Sequence, residues 1–170
     1  MKTKNLVLAA VLLAAGTILH MIPGFFNGVK PDFLLATLFF ALFINKDLKA
    51  TMAIGVVAAV LAAITTSFPG GQIPSVVDKI VTSMIFYFLI KVFDAKVESL
   101  VSVVVFTGLG TVISGAIFLG MAILLVGIPG GAGFFTMMSG IVLPTAAMNM
   151  VFGGLLCKLY AEYVKYSYAS

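Results

Sequence analysis

Apolar residues fall into six runs along the chain, each closed by a short polar or Pro-Gly break. Leu6 to Ile22 is the first and stops at Pro23-Gly24, and Phe33 to Ile44 is the second, closed by Asn45-Lys46-Asp47-Leu48-Lys49. Ala50 to Ile64 runs into Thr65-Thr66-Ser67-Phe68-Pro69-Gly70-Gly71-Gln72, and the fourth run follows Pro74 as far as Phe93. Leu100 to Ile128 ends at Pro129-Gly130-Gly131, and the last run starts near Phe134, passes Pro144 and reaches Leu156. A helix that crosses a bilayer needs about 20 apolar residues. The pattern therefore predicts six transmembrane helices, over 5-22, 31-45, 50-66, 74-93, 99-128 and 134-159. The second run is short, and it spans only if it extends into its flanks, tilts little or meets a locally thinned bilayer. The expected fold is an all-α membrane bundle, a single integral membrane domain over 1-170.

Composition agrees. Of 170 residues, 62% are hydrophobic and only 9% charged, where a soluble domain carries about 25% charged residues. No room is left for an extramembrane domain. The ten basic residues are all lysines. With the N-terminus inside, Lys2, Lys4, Lys46, Lys49, Lys91, Lys96, Lys158 and Lys165 are cytoplasmic, and only Lys30 and Lys79 lie outside. That asymmetry predicts both termini in the cytoplasm of a multi-pass protein of the bacterial inner membrane. Lys2 and Lys4 before an apolar run also suit a signal peptide, but cleavage near Gly16 or Gly24 would leave five helices without their orientation signal. Four of the five tyrosines, Tyr160, Tyr163, Tyr166 and Tyr168, mark a cytoplasmic interfacial helix end.

Enzyme chemistry has little to work with. One His, the single Cys157 and six acids carry no GxSxG, HExxH, Walker A or GxGxxG pattern. No cofactor or metal is expected, no basic patch suits nucleic acid, and a pump with its own ATPase is excluded. The partner expected from composition is membrane lipid.

The candidate chemistry lies on the outer face. If Pro74 occupies the first turn of the fourth helix, Asp78 and Lys79 fall one turn inside it. Ionisable residues at that depth are costly unless paired or facing water, so the pair is a candidate site. Its geometry suits a zwitterion: helix N-terminus and Lys79 for a carboxylate, Asp78 for an ammonium. Adjacent helical residues point about 100° apart, which leaves one facing the site and the other the loop, with Asp78 the first choice for the site. Thr66, Phe68 and Gln72 lie in the segment just before the pair. In the first outer loop, Phe25 and Phe26 beside Asn27-Gly28 make either a lid over a ligand or a lipid-interface anchor. His20 serves either a ligand or another helix. Asn149, with Thr145 one turn earlier and Pro144 loosening the helix, needs a partner across helices or from a ligand. Thr111 and Ser114, beside glycines, point to close helix packing. Ala10 and Ala14 form a small-xxx-small pattern that lets another helix approach.

Thr65-Thr66-Ser67-Phe68-Pro69-Gly70-Gly71-Gln72-Ile73-Pro74 followed by Asp78-Lys79 resembles the hallmark of the bacterial tryptophan transport protein family. Met1-Lys2-Thr3-Lys4, Gly16-Thr17, His20, Lys30-Pro31-Asp32 and Leu143-Pro144-Thr145 with Asn149 look like that family too, so the resemblance covers nearly the whole chain. Such proteins are similar in size and hydropathy to the S components of energy-coupling factor (ECF) transporters. The resemblance implies a six-helix, S-component-like bundle that binds L-tryptophan at its outer side. It further implies partnership with a shared ECF transmembrane subunit and two ATPase subunits, met through the Ala10 and Ala14 motif. Two other readings stand beside it: a solitary ion-coupled secondary amino-acid transporter, and a ligand-free accessory membrane subunit.

Overall fold

The computed structural model describes residues 3–22, 31–127 and 133–169, with side chains to residue 165. All the elements within them are helical. They are α1 (Thr3–His20), α2 (Phe33–Ile44), α3 (Leu48–Thr65), α4 (Gln72–Val92), α5 (Leu100–Leu125), α6 (Phe134–Met137) and α7 (Leu143–Ala169). A π-helical turn, Met138–Val142, joins α6 to α7, so the last three pieces form one continuous rod. Five of the rods are long and apolar enough to cross a membrane, and α2 is the shorter sixth.

The short helix is the hub. Residues Leu34 through Phe43 are all buried, and α2 touches α1, α3, α4, α5 and α7. A helix that is apolar all round belongs inside other helices, and 12 residues reach only ~18 Å, well short of a ~30 Å hydrocarbon core. The expected extension into its flanks does not occur. Polar side chains finish both ends instead. Asp32 caps the start by accepting from the Leu35 N–H at 3.0 Å. At the other end the Asn45 amide donates to Ala41 O at 3.0 Å and Asn5 O at 3.1 Å, while Asn5 donates to Ile44 O at 3.2 Å. These bonds satisfy backbone groups that lipid would leave bare.

Glycines let the neighbours close in. A Cβ on Gly16 would lie 2.1 Å from Thr37 Oγ1 and 3.0 Å from the Phe33 carbonyl, so α1 lies against the backbone of α2. A Cβ on Gly110 would meet the ring of Phe39 at 2.6 Å, and Phe39 in turn stacks on Phe86 with ring centroids 4.2 Å apart.

The π turn has a local cause. Pro144 has no N–H and its ring crowds the carbonyl four residues back, and the Leu143 N–H instead reaches Met138 O, five residues back. Past it, α7 continues to Ala169, so the last helix is longer than the 134-159 expected. Even-numbered crossing puts both termini at one end, together with Lys4, Lys46, Lys49, Lys91, Lys96, Lys158 and Lys165. That lysine-rich end is the cytoplasmic one.

Candidate functional site

A cavity of about 250 Å³ opens at the opposite end, between the end of α1, the starts of α2 and α4, the end of α3, the middle of α5 and the π turn. Its polar side is a chain of charges. Asp78 and Lys79 sit two turns into α4 and both are buried. The Lys79 ammonium donates to Asp78 Oδ2 at 2.6 Å, and lies 3.4 Å from Asp32 Oδ2 and 3.5 Å from Ser114 Oγ. Two hydroxyls complete the Asp78 carboxylate, Thr82 donating to Oδ1 at 2.8 Å and Ser114 to Oδ2 at 2.9 Å. His20 Nδ1 lies 3.2 Å from Asp32 Oδ1. Burial works to raise the Asp32 pKa, but Lys79, His20 and the Leu35 N–H outweigh it and hold the carboxyl well below the usual carboxylate range.

The other walls are apolar. Leu34, Leu35, Ala62, Phe118, Ile141 and Val142 line the space beside Phe68, whose ring meets Phe118 edge-on at 5.3 Å. Apolar walls with a few convergent polar groups are the common form of a small-molecule site. An apolar cavity of about 150 Å³ already holds a benzene ring, so this one has space for a larger aromatic.

Six of the residues singled out from the sequence line this cavity together: His20, Thr66, Phe68, Asp78, Lys79 and Thr145. Asn149 does not line it. It is fully buried one turn below Thr145 and donates to Thr111 Oγ1 at 3.1 Å. Gln72, the first residue of α4, is exposed and is not among the residues that line the cavity. Asn27 lies outside the described residues, as do Phe25 and Phe26 with the expected lid. Asp78 and Lys79 are not divided between site and loop: both line the cavity, with their heads 2.6 Å apart. Thr111 and Ser114 do more than pack: Ser114 bonds the charge pair and Thr111 joins Asn149 to the cavity wall. Asp32, which also lines the cavity, is not singled out as a site residue by the sequence. Its signal was the Pro31-Asp32 dipeptide directly before an apolar run, the position of a helix N-cap. Ala10 and Ala14 are exposed on the outer face of α1.

The fold and site thus define a small multi-pass membrane protein with a ligand-sized, charge-lined cavity opening at the non-cytoplasmic end. The chain belongs to a family of such proteins: the family described as tryptophan transporter TrpP matches residues 2–165. Relatives named probable tryptophan transport protein agree. One from Clostridium acetobutylicum is 39% identical over 92% of this chain and 91% of its own length. Another, from Bacillus subtilis, is 40% identical over 89% of this chain and 87% of its own. A third, from Clostridium perfringens, is 38% identical over 92% and 91%. No solved structure matches the chain.

Proposed function

We propose that this protein binds L-tryptophan from outside the cell and delivers it inward as the S component of an ECF-type transporter. One observation carries the reading: a single cavity joins the buried Lys79–Asp78 pair and the half-buried Asp32 to an aromatic-lined apolar wall. A zwitterion with a large aromatic side chain needs both. The walls supply contact for an indole, and the charges supply partners for ammonium and carboxylate. Tryptophan, rather than another aromatic amino acid, comes from the named relatives.

Family membership supports transport, and the outward face of α1 supports a partner. Ala10 and Ala14 lie exposed beside Val7, Val11 and Ile18, where a second helix can approach closely. Purification of the tagged protein from its native membrane tests the proposal. Recovery of a transmembrane subunit with two ATPases, and tryptophan uptake that stops when ATP is depleted, is the expected result. Uptake that persists without ATP and collapses with the ion gradient would establish the solitary ion-coupled transporter instead. Failure to bind tryptophan at all would leave the accessory subunit.

A further inference from the structure

We infer that an amino-acid headgroup binds by inserting between Asp32 and Lys79, its ammonium on Asp32 and its carboxylate on Lys79, while Asp78 only holds Lys79 in position. This rests on the amino-acid reading above. The two ion pairs of Lys79 are unequal, 2.6 Å to Asp78 and 3.4 Å to Asp32. Charge-assisted N–H···O bonds run about 2.7–2.9 Å, so the first pair is closed and the second is loose.

The two carboxylates differ in the same sense. Asp78 is 1% exposed and takes Thr82 on one oxygen and both Ser114 and Lys79 on the other. Three of its roughly four acceptor positions are thus taken, which leaves little to offer a ligand. Asp32 has a side chain 22% exposed. Its Oδ1 takes the Leu35 N–H and faces His20, while Oδ2 has, among the described residues, only the loose Lys79 contact.

The order of the charges suits insertion. Two carboxylates against one ammonium leave a negative charge that His20 offsets only when protonated. A zwitterion placed in the loose pair gives the sequence Asp78, Lys79, carboxylate, ammonium, Asp32, in which the signs alternate. Lys79 can withdraw from Asp32 because its stem is flexible, and Asp78 with Ser114 retains it.

The test uses three ligands on the full-length protein in detergent, by calorimetry: tryptophan, tryptamine with the ammonium alone, and indole-3-propionate with the carboxylate alone. Asn caps a helix as well as Asp does, so Asp32→Asn preserves the start of α2. It should weaken tryptophan and tryptamine about 10- to 100-fold, the range of a charge-assisted bond, and leave indole-3-propionate unchanged or tighter. A D78N/K79Q double variant removes the ammonium without stranding Asp78, and should instead weaken tryptophan and indole-3-propionate while sparing tryptamine. If Asp32→Asn affects all three ligands alike, or none, the insertion is wrong even though tryptophan binds. If the wild-type protein does not bind tryptophan, the substrate reading fails and the insertion with it.

Discussion

Asp78 and Asp32 show how much the surroundings of a carboxylate decide its work. Removing one partner of a buried pair leaves an uncompensated charge and costs roughly 3–5 kcal/mol. Asp78→Asn should therefore lower the melting temperature of the ligand-free protein in detergent by more than Asp32→Asn does, because Asp32 is partly exposed. Tryptophan binding should also weaken by at least about 1 kcal/mol in Asp78→Asn, through the loosened Lys79. Equal melting temperatures for the two variants would contradict the assignment of Asp78 as the structural partner. The Asp32 carboxyl is held below its ordinary value, so the unfolded chain binds the proton more readily than the folded one. Its stabilising charge is present above the unfolded pKa of about 3.9 and is lost only as pH falls through the lower folded value. With His20 replaced by Gln, so that no imidazole contacts Asp32, the stability difference made by Asp32→Asn should stay constant from about pH 5 to 8. A difference that shrinks across that window would mean the carboxyl is not held by Lys79.

The helices carry a second set of constraints. Gly16 faces the Phe33 carbonyl and Thr37, and backbone yields less readily than a flexible side chain. Gly16→Ala should force α1 away from α2 and cost about 1–3 kcal/mol, as overpacking does, seen as a drop in thermal stability. The exposed face of α1 should behave in the opposite way. Replacing Ala10 and Ala14 with Leu should leave folding and tryptophan binding intact but abolish uptake in cells, because bulky side chains keep a partner helix at a distance. Equal loss of binding and uptake would place the motif inside this protein's own packing. The π turn before Pro144 brings Ile141 and Val142 to the cavity wall, a common use of such turns at functional sites.

For the molecule as a whole, a ligand that binds only the folded bundle must stabilise it. Tryptophan at a hundred times its dissociation constant should add about 2.7 kcal/mol, raising the melting temperature where the same concentration of alanine does not. Alanine carries the same headgroup but fills none of the wall formed by Phe68 and Phe118. Burial of an aromatic side chain contributes about 2–3 kcal/mol, which sets the expected gap between the two amino acids.

Six apolar runs, their lysine asymmetry and the Pro-Gly breaks are properties of the chain's order, so helix number, orientation and the outer position of the site were legible without coordinates. Lipid forces every spanning segment to bond its own backbone, which leaves a linear pattern little freedom. The pair Asp78-Lys79 was legible for the same reason, since charges inside an apolar run stand out. Which face each helix turns inward was not. No periodicity reveals a hub such as α2, where every position but Thr37 is apolar, nor that its start would carry Asp32 to within reach of Lys79, 47 residues away. Ser114 and Thr111 looked like packing residues because their bonding partners belong to other helices. Gln72 stands beside the site segment in sequence, but as the first residue of α4 it is exposed and outside the cavity lining. Contacts among residues distant in sequence arise from packing, and packing alone chose which polar side chains share the cavity.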